Sequence, residues 1–304
     1  MKIALCFIIS YDHILNKEHI WRKWIEYNKD IINVYVFYKD IKQIQSEWIR
    51  ERAIPRDKIM KTSYYHVIPA YISILSYACQ HDANNQWFCL LTDSCCPIIS
   101  PLRFRNLFFA NYNKTIMSWK NAWWNTQFHK RANLALLPED LRLANDPWFV
   151  LKREDVARII QYFHKKANMA KTICQGGLAN ESLFAIILAT YNELKNVVCS
   201  VTHITDWSRM TSSTSPHVFK EGNELDLKFI EGEMKERKYQ MFIRKVAPEF
   251  PDAILERYIY DTQFKNQEFI DARIKSYLSI FVFWGYLLLF FIIGLNVIHY
   301  VKLL

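Results

Sequence analysis

The segment Thr92-Asp93-Ser94-Cys95-Cys96-Pro97 places an acidic side chain directly after a short apolar run, Trp87 to Thr92, and follows it with small residues and a proline. A run of that length reads as a strand buried on both faces of a parallel sheet, and open parallel sheets bind ligands beyond the carboxyl ends of their strands. Asp93 is therefore a candidate contact to a sugar or a nucleotide, set against the alternative of an aspartate that only caps a turn. The seven cysteines (Cys6, Cys79, Cys89, Cys95, Cys96, Cys174, Cys199) are odd in number and lack the spacing of metal ligands. Cys6 and Cys89 fall inside strand-like runs, where free thiols serve as small core residues. A disulfide framework is not indicated, which favours a reducing compartment. The formal net charge of +9 suits an anionic partner: a phosphate-bearing substrate, an acidic membrane surface or nucleic acid. Charge alone does not choose among them.

The elements around Asp93 alternate. Ile3 to Ile9 and Asn33 to Tyr38 read as strands, and Glu18 to Tyr27 carries Ile20, Trp21, Trp24 and Ile25 at helical spacing. A helix is expected from about Val67 to Gln80, with Pro69 in its first turn. Further helices are expected over Leu102 to Ala110, over Arg153 to Lys165, from near Asn180 to about Leu194, and over Phe250 to Tyr260. Ser208 to Asn223 reads as a Ser/Thr-rich loop. Repeated β-α-β order implies an α/β fold with a mostly parallel central sheet. There are no repeats and no long low-complexity tracts.

Between Lys275 and Lys302 the chain carries no charged residue. Such a run, about 26 residues, would span roughly 39 Å as a helix, enough for a bilayer core. The organisation expected is a globular domain over 1–260, a polar connector over 261–275 and a transmembrane helix over 276–301. Met1 to Ser10 reads as a first buried strand rather than a signal peptide, because Tyr11, Asp12 and His13 stand where a cleavage site would be. Lys265, Arg273 and Lys275 precede the span and Lys302 follows it, which predicts a C-terminally anchored domain facing the cytosol.

Five segments, in order, resemble one family, the core-2/I-branching β-1,6-N-acetylglucosaminyltransferases with their peptide O-xylosyltransferase and plant relatives. They are QWFCLLTDSCCPIISP (Gln86 to Pro101), DPWFVLKRED (Asp146 to Asp155), GGLANESLF (Gly176 to Phe184), THITDWSR with SPHVF (Thr202 to Arg209, Ser215 to Phe219) and MFIRKV (Met241 to Val246). The resemblance implies a GT-A-like fold and inverting transfer of a sugar from a UDP-sugar to an acceptor hydroxyl, with N-acetylglucosamine the first expectation and xylose the second. Such transfer needs a base for the acceptor's proton and positive charge for the departing diphosphate.

The family's P-D-E glutamate corresponds to Glu181 in Ala179-Asn180-Glu181; the Pro and Asp are replaced. On the residues alone, Asn180 caps a helix and Glu181 is a first-turn glutamate answering its dipole. The family dispenses with a metal-binding D-x-D, and none occurs here; no metal and no other cofactor is expected. Glu224-Leu225-Asp226, the nearest pattern, reads as solvated loop. Arg244 and Lys245 match the family's basic pair, with Arg209 and His217 as further candidates for the diphosphate and Asp93 as a donor contact. Trp119, Trp123 and Trp124, with Lys120, Lys130 and Arg131 near them, are expected to line an acceptor cleft, whereas Trp148 and Phe149 read as core. Trp207 is placed under the donor, and Asp206 as a residue that orders its loop. The partners implied are a UDP-sugar, a glycan or other hydroxyl acceptor and a lipid bilayer, with no nucleic acid. The rival expectation is a membrane-tethered carbohydrate-binding or scaffold protein that kept the fold and lost turnover, which the altered P-D-E favours.

Overall fold

The computed structural model describes residues 1–9, 12–63, 65–212, 214–236 and 238–260. The connector and transmembrane helix expected over 261–275 and 276–301 lie outside these. No helix among the described residues is long and apolar enough to cross a membrane.

Strand β1 (Lys2–Ile8), helix α1 (Glu18–Glu26) and strand β2 (Ile32–Phe37) begin the chain. Helices α2 (Glu47–Arg52) and α3 (Ile68–His81) follow, then β3 (Asn85–Thr92), β4 (Cys96–Pro97) and α4 (Pro101–Asn111). The middle contains β5 (Trp119–Asn121), β6 (Leu143–Asn145), β7 (Val150–Lys152), α5 (Arg153–Lys165), α6 (Ala167–Gln175) and α7 (Leu183–Thr190). Strand β8 (His203–Thr205), α8 (Glu224–Glu236), β9 (Phe242–Arg244) and α9 (Asp252–Tyr260) complete it.

The central sheet has the order β2-β1-β3-β7. Its first three strands are parallel, and β7 closes the edge antiparallel to β3. The architecture is thus mixed α/β around a mostly parallel sheet, as the alternating pattern predicts. Side chains alternate between the two faces of a strand, and both faces are covered. Ala4, Cys6, Phe88 and Leu90 pack with Ile74 and Leu75 of α3, Ile159 of α5 and Ile186 of α7. On the opposite face Phe7 meets Trp21 edge-on at 4.9 Å, and Trp87 meets Phe108 at 5.8 Å, seating α1 and α4. Trp21 and Trp24 are fully buried, and their indole N–H groups donate to the carbonyls of Cys95 and Ile99 at 2.9 Å. Burying a large ring with its one polar group satisfied adds apolar contact without leaving an orphan donor.

A second sheet of order β4-β9-β8 lies at the carboxyl end of β3. The Val246 amide donates to the Ser94 carbonyl at 2.8 Å, and Asn16 Nδ2 donates to the Val246 carbonyl at 2.8 Å. These bonds lay the end of β9 against the turn that contains Asp93, although 150 residues separate them in sequence.

Two helix expectations need correction. The helix expected from Asn180 is shorter and starts later, at Leu183, behind a 3₁₀ turn over Ala179–Glu181. Glu224-Leu225-Asp226 is not solvated loop: it opens α8, and Asp226 is buried. Helices α2 and α6 are also present where no element was expected; each is under ten residues, too short for a clear periodic signal.

Gly176 fixes the approach to the 3₁₀ turn. A Cβ there would lie 2.3 Å from the Asn133 nitrogen and 2.6 Å from the Ala132 carbonyl carbon, both backbone atoms that cannot swing aside. Gly176→Ala is expected to destabilise the fold by roughly 1–3 kcal/mol, the usual cost of overpacking. A thermal midpoint equal to that of the unaltered chain would show that the two segments are not held together there.

Candidate functional site

A cavity of about 430 Å³ opens where the 3₁₀ turn, β8, the Ser/Thr-rich loop, α8 and the end of β9 converge. Glu181 and Asp146 stand on its wall together with Trp148, His203, Arg244 and Lys245; Trp207, Thr214, Pro216, Phe229 and Glu233 also line it.

The carboxylate side is organised by a residue that the sequence did not single out. Asn145, buried at the end of β6, donates from Nδ2 to the carbonyls of Asp146 and Asn180 at 2.9 Å each, and its Oδ1 accepts from the Ala185 amide at 3.2 Å. It thereby ties the Asp146 strand end, the Glu181 turn and the first turn of α7. The cap expected from Asn180 is supplied from Asn145, 40 residues from its partner. The Asn180 Oδ1 has no hydrogen-bond partner among the described residues.

Glu181 keeps 30 % of its side chain exposed and accepts from Arg131 Nη1 at 3.2 Å. Burial pushes its carboxyl above the usual glutamate range; Arg131 pulls it down, and Asp146 pushes it up again. A carboxylate with a raised pKa is a stronger base once ionised, which suits proton abstraction near neutral pH. Removing Arg131 leaves two influences that both raise the pKa. Arg131→Met is therefore expected to move the acid limb of the pH profile of kcat to higher pH, and an unmoved limb would show that Arg131 does not tune the carboxylate.

The same cavity lining carries two cations, Arg244 and Lys245. Arg244 ends β9, is buried, and lies with its guanidinium carbon 4.0 Å from the Trp148 ring centroid. Trp148, expected to be core, is instead a partly exposed platform under this cation, while Phe149 is fully buried as expected. Burial pushes the Arg244 pKa down. Lys245 follows; burial and Arg244 lower its pKa, and Asp93 pulls it up. Its Nζ donates to Ser215 Oγ at 3.4 Å. Among the described residues neither cation is held in an ion pair with a carboxylate; Asp93 acts on both through space. Two adjacent cations, one buried over an aromatic face, form an anion site. His203 forms part of the floor: burial, then Arg244, keeps its pKa well below the usual histidine value, so it is neutral, and its Nδ1 contacts Thr202 Oγ1 at 2.9 Å.

Arg209 and His217, candidates for the same anion, are placed elsewhere. Arg209 bonds Asp206 through Nε at 2.6 Å and Asp226 through Nη1 at 2.9 Å, and His217 Nε2 meets Asp226 at 2.9 Å. Neither lines the cavity. Asp206 does order the loop: its Oδ1 accepts from the Ser208 and Arg209 amides at 2.8 and 3.3 Å. Burial alone would raise its pKa, but the bonds from Ser208 and Arg209 prevail and hold the carboxyl below the usual range. This network secures the loop that brings Thr214 and Pro216 to the cavity. The buried Asp226 that completes it is the residue read from sequence as solvated.

Of the expected acceptor residues, Trp119, Trp124, Lys130 and Arg131 do not line the cavity; Arg131 reaches it through its pair with Glu181. Trp124 lies 5.3 Å below the Arg131 guanidinium, Trp119 packs against the core, and Lys130 is exposed. Trp207 stands half exposed at the cavity rim. Asp146 belonged to a recognised segment without an assigned role; its place after a strand end was the available signal.

A family model described as Core-2/I-Branching enzyme matches residues 7–232. The match takes in Asp93, Asp146, Trp148, Glu181 and the loop around Asp206, and stops before Arg244 and Lys245. No curated protein matches the chain.

Proposed function

Because the chain belongs to the core-2/I-branching enzyme family, and is in that sense a glycosyltransferase, we propose that it transfers a sugar from a UDP-sugar to an acceptor hydroxyl with inversion, on a GT-A-like scaffold. The first choice of sugar is N-acetylglucosamine and the second is xylose. The observation that carries this reading is the make-up of one cavity: its lining joins a carboxylate with a raised pKa to two cations without a carboxylate ion pair among the described residues.

In the proposed step, Glu181 takes the proton of the acceptor hydroxyl as its oxygen bonds to the anomeric carbon. The bond from that carbon to the diphosphate breaks on the opposite side, and the electron pair leaves with UDP. Arg244 and Lys245 meet the charge that develops there, the task a divalent ion performs elsewhere. We therefore propose a reaction that needs no metal. The test is a screen of UDP-sugars with the purified full chain, with and without chelator. Transfer from one donor, unchanged by chelator, is expected, and loss of transfer in chelator would overturn the metal-free mechanism.

A second reading keeps the fold as a carbohydrate-binding or scaffold protein without turnover. It is favoured by the replaced P-D-E residues and by Arg131 already occupying Glu181 at 3.2 Å. Calorimetric binding of a UDP-sugar with neither transfer nor donor hydrolysis would support it over the first.

A further inference from the structure

From Tyr112 to Pro138 the chain carries Lys114, Lys120, Lys130 and Arg131 and no aspartate or glutamate. Within the same stretch three large apolar side chains stand in water: Trp123 is 65 % exposed, Phe128 79 % and Leu136 72 %. They are not on a frayed end. Asn125 Oδ1 accepts from the Gln127 and Phe128 amides at 3.0 and 3.1 Å, and the Asn125 carbonyl accepts from the His129 amide at 2.9 Å, so an ordered turn presents Phe128. The Trp123 part of the stretch connects to the cleft. The Lys120 ammonium lies 4.0 Å over the Trp123 ring, Trp123 meets Trp124 edge-on at 4.9 Å, and Arg131 spans from Trp124 to Glu181.

We propose that this basic, aromatic face docks on a membrane surface rich in anionic lipid. Tryptophan rings settle at the level of the lipid headgroups, and lysine and arginine beside them are drawn to acidic headgroups. A soluble sugar would use the Trp123 ring and leave Phe128, Leu136 and the surrounding charge without a partner. Nucleic acid would use the charge and the rings, but not Leu136, which offers no plane for stacking. Docking there would turn the Glu181 side of the cleft toward acceptors carried by the membrane. That last clause rests on the transferase reading; the docking itself does not.

The test uses the full chain in lipid nanodiscs, one set of phosphatidylcholine alone and one containing phosphatidylserine. Any insertion of residues 276–301 is then common to both sets. Amide hydrogen exchange across 120–136 is expected to slow several-fold in the anionic discs only and to recover at high salt. The Phe128→Ser/Leu136→Ser double variant and Lys130→Glu, checked for folding by circular dichroism, are expected to lose this protection. Glu181→Gln is expected to keep it, so failure of the transferase reading would leave docking measurable. Equal exchange in the two sets of discs, protection retained by the double variant, or the same protection from heparin without lipid would each overturn the proposal.

Discussion

Glu181→Gln is expected to lower kcat for sugar transfer by roughly 10²- to 10⁴-fold, the usual contribution of a positioned general base. Glutamine keeps the shape of the side chain, and its carbonyl oxygen can still accept from Arg131, so the 3₁₀ turn over Ala179–Glu181 has no reason to move. It cannot take a proton. Donor affinity should stay within about twofold, because the diphosphate is assigned to Arg244 and Lys245, and loss from kcat alone marks an interaction made in the transition state. A folded Glu181→Gln protein with full transfer activity would remove Glu181 from the role. A neighbouring carboxylate is available to inherit it: Asp146 shares the cavity wall. If Asp146→Asn rather than Glu181→Gln abolished turnover, the base would be reassigned by one strand end without changing the rest of the site.

Lys245→Ala is expected to lower kcat/KM by roughly 10²- to 10³-fold, the range seen when one donor to a developing anion is removed. Arg244→Met gives a sharper test because stability and activity should move independently. Arg244 is buried over the Trp148 ring with no carboxylate ion pair among the described residues, and its Nε has no hydrogen-bond partner there. Replacing a buried charge that has no carboxylate ion pair by an apolar side chain of similar length is expected to leave stability unchanged or raise it. Activity should nevertheless fall, and donor affinity with it. Arg244→Lys should not rescue activity, since a lysine loses the planar stack on the ring. A protein that unfolded more easily while keeping its activity would make Arg244 structural and leave Lys245 alone at the diphosphate.

The two predictions fall on residues that line one cavity. Glu181 and Lys245 were reachable only through the resemblance of their segments to a family. On local physics Glu181 was a first-turn glutamate and Lys245 a strand-end cation, and each description fits many residues with no function. Trp148 misled in the other direction. A tryptophan beside a fully buried phenylalanine reads as core, yet β7 begins only at Val150, and Trp148 turns out under Arg244. Asp226 misled for a related reason. Its neighbours Glu224 and Lys228 are exposed and salt-bridged at helical spacing, which hides the one acidic position that faces Arg209 and His217.

The sequence by itself determined the alternating elements, the apolar strands β1 and β3, the burial of Cys6 and Cys89, and the ordering role of Asp206. These follow from periodicity and short-range hydrogen bonding, which act over a few residues and leave their mark in composition. It also carried, through five ordered segments, the family to which the chain belongs. Only the tertiary structure decided that Asn145 caps α7 in place of Asn180, that Arg209 is committed to two carboxylates, and that Arg244, Lys245 and Glu181 line one cavity. Those outcomes depend on groups from separate elements meeting with a particular geometry, 40 residues apart in the case of Asn145 and the Ala185 amide. Pairings at that range are set by how the sheets pack, which no local pattern records.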